Sequence, residues 1–293
     1  MTIETQGIQV TYTSGRGQPS FAVPRNACDC HNHIYDPVRF PYAPTDVRNQ
    51  PPATVPMLRL LQKRLGLTRA VIVTPSAYGL DNRCTLDALE QLGNDARGVA
   101  VVDGAVTDYR LAAMHAKGVR GIRFNIATGG SDNWEMIAAL SHRVHDLGWH
   151  VQFNIDAQGL EAMAGFIGSL PSPVVLDHFA HIPQPQGPDH PAFATVCRLL
   201  DSGGVWVKLS GYYFDYPQGH PEYAPVVRTG CAYVKHAPER MIWGTDWPHP
   251  TAFTKRLPWP DEAAEMDFLA VMAPDEHTRN RILVANPEQL YGF

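Results

Sequence analysis

Short apolar runs alternate with amphipathic stretches along most of this chain. The runs are Ala27 to Cys30, Ala70 to Val73, Gly98 to Val102, Val119 to Phe124, His150 to Phe153, Val174 to Leu176, Val205 to Leu209 and Met241 to Trp243. Several are rich in Val and Ile and carry no polar alternation, the pattern of strands buried on both faces of a parallel sheet. Between them, apolar residues recur at helical spacing. Leu58, Leu61 and Leu65 share one face of a stretch from Pro56 that stops at Gly66, and Ile137, Leu140, Val144 and Leu147 share a face from Trp134 to Gly148. Further helices are expected over Thr85 to Leu92, Asp108 to Gly118, Gly159 to Ile167, Pro191 to Leu200, Tyr223 to Val234 and Glu262 to Met272. Terminal glycines supply several of the stops. Eight such units predict an α/β fold, a (β/α)8 barrel of TIM type, rather than an open doubly wound sheet. The first strand runs into His31-Asn32-His33 rather than a G-x-G-x-x-G loop, which argues against dinucleotide binding.

The expected organisation is one barrel domain over residues 1–293, with 1–25 as an N-terminal arm clasping a barrel of 26–293. Two Pro-rich loops, Asp36 to Pro56 and Pro248 to Pro260, follow strands one and eight, and are expected to cover the same barrel face as a lid. Composition narrows the function. The 293 residues are 44% hydrophobic with a net charge of -5, enough apolar material for a full core. No Lys/Arg block exists to bind nucleic acid, and no uninterrupted apolar run is long enough to span a membrane. The start has no secretory pattern, and five scattered cysteines suit a reducing, cytoplasmic setting. Alternation along the first strand predicts Asp29 and His31 on one face, with Cys28 and Cys30 packed outward as structural thiols. Oligomeric state is left open, a homo-oligomer included.

Chemistry-bearing side chains cluster where such barrels place their active sites, at the C-terminal ends of the strands. His31 and His33, two apart, face together. His178 follows strand six and Asp246 follows strand eight. Each alone has an ordinary structural role available, as a satisfied strand-end histidine or a loop cap. Their joint placement after strands one, six and eight is what points to a site.

The segments Cys-His-Asn-His, Gly-Ile-Arg-Phe-Asn, Leu-Asp-His, Val-Lys-Leu-Ser-Gly, Trp-Gly-Thr-Asp-Trp-Pro-His and Asn-Pro-Glu-Gln-Leu-Tyr resemble the amidohydrolase superfamily. Within it they are similar to the branch of 2-pyrone-4,6-dicarboxylate lactonase, sulfomuconolactone hydrolases and sugar-acid lactonases, from Asn26 to the end. The resemblance implies a lactone hydrolase in which His31, His33 and His178 polarise the ring carbonyl and Asp246 activates water. A metal-dependent decarboxylase or amidohydrolase, and a lactone isomerase, are the alternatives. It implies no required cofactor, with room for a single divalent ion such as zinc held by His31, His33, His178 and Asp246. Arg123 and Asn154 stand where a two-metal centre wants a bridging carboxylate and a histidine. For substrate, Arg123 is the expected carboxylate anchor, and Asn125, Asn154, Ser76, Tyr78, Asn82 and Tyr212 are the expected hydrogen-bonding groups. The pyrone-dicarboxylate enzymes carry further arginines after strands four and seven. Here those stretches read Ile-Ala-Thr-Gly-Gly-Ser and Gly-Tyr-Tyr-Phe-Asp, so a less charged lactone is the expected small-molecule partner.

Overall fold

The computed structural model describes residues 9–126 and 133–293. Residues 1–8 of the expected arm and most of the arginine-free stretch after strand four lie outside the described residues. Eight parallel strands form one sheet in sequence order: β1 Cys28–Asn32, β2 Arg69–Val73, β3 Ala96–Ala100, β4 Val119–Asn125, β5 His150–Asn154, β6 Val174–Leu176, β7 Val205–Leu209 and β8 Met241–Trp243. The sheet closes where Asp246 N donates to His31 O (2.7 Å) and His33 N donates to Trp247 O (2.8 Å). The result is a (β/α)8 barrel of TIM type, with helices between the strands.

Helices α1 Val55–Leu65, α2 Arg83–Leu92, α3 Asp108–Ala116, α4 Trp134–His145, α5 Ala157–Ser169, α6 Pro191–Asp201 and α7 Ala224–His236 join successive strands. After β8 come α8 Pro250–Lys255, α9 Glu262–Met272, α10 Glu276–Asn280 and α11 Asn286–Tyr291. The expected apolar faces are the buried ones: Leu58, Leu61 and Leu65 in α1, and Ile137, Leu140 and Val144 in α4. Local chemistry sets the ends. Thr107, Asn133, Asp156 and Asp261 cap their helices through side-chain oxygens, and Gly66 ends α1 in the left-handed conformation at φ 74°. The Pro-rich loop after β8 contains α8, and α10 and α11 follow Met272; neither was expected from periodicity, because these helices have only five or six residues.

The expected outward packing of Cys28 and Cys30 is not what the structure shows. On β7, Trp206 and Lys208 share a face, and Lys208 reaches His31 on β1, Gln152 on β5 and Asp177 just after β6, so that face points into the barrel. Cys28 and Cys30 pack in the same cluster as Trp206, Val71, Val73, Val99, Val175 and Ile242, and are therefore interior. The cause is a bulge. Asp29 pairs with Ala70 but Asn32 with Ile72, so three steps of β1 face two of β2. The extra residue lets His31 follow Cys30 inward, while Asp29 is left outside, accepting from His31 N and from Thr245. Leu290 and Tyr291 of α11 join this apolar cluster, and Arg97 donates to Tyr291 O, so the C-terminal segment plugs the barrel floor. Above the floor the interior turns polar, and there the site begins.

The two Pro-rich loops do meet over one face. A groove of about 780 Å³ between them is lined by Val47, Arg48, Phe253, Arg256 and Trp259.

Candidate active site

The bulge and the closure of β8 on β1 bring His31, His33 and Asp246 together. His33 Nε2 lies 3.4 Å and His31 Nε2 3.6 Å from Asp246 Oδ1. The His178 ring is 4.7 Å from that of His31, centroid to centroid. All four side chains are buried.

Each imidazole is held by its Nδ1 edge. His33 Nδ1 donates to Val73 O (2.8 Å), which fixes its tautomer, because a carbonyl can only accept. His31 Nδ1 lies 3.2 Å from Asp177 Oδ1 and 3.4 Å from Lys208 Nζ, and His178 Nδ1 is 3.0 Å from Ser210 Oγ. Their Nε2 edges are the ones left for chemistry. Tyr213 donates its hydroxyl to Asp246 Oδ2 (2.5 Å), so Oδ1 is the free oxygen. Among the described residues, neither His31 Nε2 nor Asp246 Oδ1 has a hydrogen-bond partner.

This pattern fits a single divalent ion. His31, His33 and Asp246 offer donor atoms within 4.8 Å of one another, and His31, Asp177 and His178 form a second such group. The lone pair on His33 Nε2 faces a carboxylate oxygen, and two acceptors at 3.4 Å repel unless a proton or a cation lies between them. Imidazoles anchored through the nitrogen away from the centre are also what metal-ligating histidines show.

Beneath the histidines, Asp177 joins the layers. Its Oδ2 accepts from Arg123 Nε (2.9 Å) and Gln152 Nε2 (3.0 Å), and its Oδ1 lies 3.5 Å from Lys208 Nζ. Burial raises the Asp177 carboxyl, but Lys208, His31 and Arg123 outweigh it and hold it well below the usual carboxylate range. Burial also raises Asp246, and there the adjoining His33, the nearby His178 and the Tyr213 hydroxyl turn the net direction downward. Both acids are held as carboxylates. Burial, reinforced by Lys208, keeps His31 well below its ordinary value, and burial does the same to His178.

The substrate-binding expectations divide. Arg123, Asn125 and Asn154 reach the mouth, although the Arg123 Nε is already committed to Asp177. Ser76 is exposed and accepts from Arg48 (2.7 Å). Asn82 is not free to bind ligand: its oxygen accepts from Thr74 and Val101 N, and its nitrogen donates to Leu80 O and Val101 O. Tyr78 accepts from Asp36 N and packs on Tyr35 and Tyr42. Tyr212 is buried against Phe179 and Phe268 with its hydroxyl on Glu265 O. These three serve the packing of loops. Its neighbour Tyr213 is the tyrosine at the site, because Gly211 turns the chain at φ 65° and the strand alternation no longer applies. Tyr213 and the pair His181–Asp215 were not expected, and Asp177, in the Leu-Asp-His segment that ends strand six, was given no role of its own.

An eight-stranded parallel barrel with histidines at the ends of β1 and β6 and an aspartate after β8 at one mouth defines an enzyme of the amidohydrolase superfamily. A profile of the amidohydrolase family matches residues 28–293, and the chain belongs to that family. It is 33% identical to a 2-pyrone-4,6-dicarboxylate hydrolase of Comamonas testosteroni, over 94% of this chain and 92% of the relative. It is 32% identical to a D-galactarolactone isomerase of Agrobacterium fabrum, over 93% of each chain. A crystal structure of an apo protein from Agrobacterium tumefaciens superposes with a TM-score of 0.87 at 30% identity, covering 96% of this chain and 98% of that one.

Proposed function

We propose that this protein hydrolyses the ring ester of a small acidic lactone. The observation that carries the reading is Asp246. Its Oδ2 is tied to Tyr213, its Oδ1 is unpartnered among the described residues, and the Nε2 edges of His31 and His33 converge on that free oxygen.

A carbonyl set among these edges is polarised by Nε2–H of His178, whose Nδ1 accepts from the Ser210 hydroxyl, and by Nε2–H of His31 in the tautomer whose Nδ1 accepts from Lys208 Nζ. Water then adds to the carbonyl carbon, and Asp246 Oδ1 takes its proton. Collapse of the tetrahedral adduct breaks the bond to the ring oxygen, and the proton on Asp246 passes to that alkoxide. The product is an open-chain hydroxy acid. A divalent ion would be held by His31, His33 and Asp246, with His178 beside them, and would supply carbonyl polarisation and a more acidic water. Relatives acting on a pyrone dicarboxylate and a galactarolactone support a ring ester as substrate class. The second of these favours a variant reaction, in which a substrate hydroxyl replaces water and the ring ester migrates.

Acid release from muconolactones, pyrone carboxylates and sugar-acid lactones, followed with a pH indicator with and without chelator, tests the reading. NMR of the products separates ring opening from ring migration. Asp246→Asn is expected to lower turnover by at least about 100-fold with the fold retained by circular dichroism. Undiminished turnover in that variant removes Asp246 as the base. Loss of activity on chelation, restored by zinc, assigns the ion a part in the reaction.

A further inference from the structure

One cluster at the mouth is not used by this chemistry. From His178 to His181 the backbone holds four consecutive non-glycine residues in the left-handed region, at φ 51°, 53°, 56° and 47°. That conformation is rare and strained for such residues. Its effect here is to set the His181 ring 5.5 Å from that of His178. His181 Nδ1 lies 3.1 Å from the Asp215 carboxylate. His181 Nε2 meets Asn154 Oδ1 at 2.6 Å, and Asn154 Nδ2 donates to Asn125 Oδ1 at 2.8 Å. Phe214 stacks on His178 at 4.2 Å and stands edge-on to His181 at 5.4 Å, giving this side an apolar wall.

The result is a ribbon of carboxylate, imidazole and two amides across the ends of β4 and β5 and the loops after β6 and β7. Together its members offer acceptors (the carboxylate and the amide oxygens) and donors (the amide nitrogens and an imidazole N–H), the complement of a hydroxyl. Asp215, with a side chain 28% exposed, adds a negative charge where an incoming second carboxylate would be repelled. The cation at hand, Arg123, lies two residues before Asn125 and is partly neutralised by Asp177.

We propose that His181, Asp215, Asn154 and Asn125 form a hydroxyl-recognising subsite, so that the preferred ring ester is a polyhydroxylated sugar-acid lactone with one free carboxylate. The ring-ester part of this statement rests on the lactonase reading; the subsite itself does not.

The experiment therefore has two arms. In the first, kcat and KM are measured for an aldaric acid lactone, a muconolactone without ring hydroxyls and a pyrone dicarboxylate. Wild-type protein is expected to favour the aldaric lactone by at least about tenfold in kcat/KM. Asp215→Asn is expected to raise KM for that substrate about tenfold with kcat nearly kept, and to leave KM for the muconolactone unchanged. In the second arm, calorimetry compares galactarate with adipate, diacids of equal length with and without hydroxyls. Wild type is expected to bind galactarate about tenfold more tightly, and Asp215→Asn and His181→Gln to lose that preference. Such a preference upholds the subsite even where no lactone is turned over, a result that sinks only the lactonase reading. Equal effects on all rings, or no preference between the diacids, overturn the subsite even where lactone hydrolysis is established.

Discussion

Buried carboxyls in this protein are driven in opposite directions by their neighbours. Asp177 faces two basic side chains and a histidine and stays ionised, whereas Glu265 faces other acids. Burial first, then Glu262, Asp246, Asp261 and Asp29, push the Glu265 carboxyl well above its ordinary value. Neither of its oxygens has a hydrogen-bond partner among the described residues. A folded-state value raised above the unfolded one means stability present at low pH and lost as pH rises through the folded value. Glutamine mimics the protonated acid without that loss. Glu265→Gln is therefore expected to raise the melting temperature by a few degrees more at pH 8 than at pH 5, read by scanning calorimetry. An equal change at both pH values would show that the acid is not held protonated. Asp29 follows the same direction more weakly: burial raises it to about 6, against hydrogen bonds from Thr245 and His31.

At the scale of elements, the site depends on how closely β1 can approach β8. A Cβ built on Gly244 would lie 2.6 Å from His31 N and 2.8 Å from His31 Cβ, so only glycine admits this contact. Gly244→Ala must displace the bulged strand that carries both histidines. Overpacking of this kind costs about 1–3 kcal/mol. The fall in turnover is expected to be larger, at least about tenfold, because the Nε2 edges move relative to Asp246. Activity assays beside thermal melts check this, and a variant that loses stability but keeps full turnover refutes the coupling. The pattern of apolar runs could locate β1 but not its bulge. The bulge depends on pairing with β2, and one extra residue reverses which of Asp29 and Cys30 faces inward. The left-handed turn from His178 to His181 was equally hidden, since no glycine marks it.

Over the whole molecule, the segment before β1 is tied to the elements behind the site. Trp247 Nε1 donates to Thr11 O (3.0 Å), Ser14 N donates to Pro260 O (2.9 Å), and Thr13 Oγ1 donates to Glu262 Oε2 (2.6 Å). Glu262, buried in α9, also pairs with Arg64 of α1 and with His249 (2.9 Å) in the loop after β8. Removing one member of a buried pair leaves an uncompensated charge. Arg64→Met is expected to cost roughly 3–5 kcal/mol in urea unfolding. A loss below about 1 kcal/mol would show that Glu262 finds enough compensation in His249 and Thr13. Among the described residues no helix is long and apolar enough to cross a membrane.

Local pattern along the chain was sufficient for the eight-unit barrel and for placing His31, His33, His178 and Asp246 at strand ends. Hydrophobic period and helix stops act within a few residues, and strand ends in a parallel barrel necessarily share a mouth. Tertiary structure decided which edge of each imidazole is free, why Tyr213 rather than Tyr212 meets Asp246, and how His181 finds Asp215. These depend on a bulge, on backbone turns of unusual sign and on partners more than thirty residues apart. Short-range sequence pattern carries no information about such pairings until the barrel has closed.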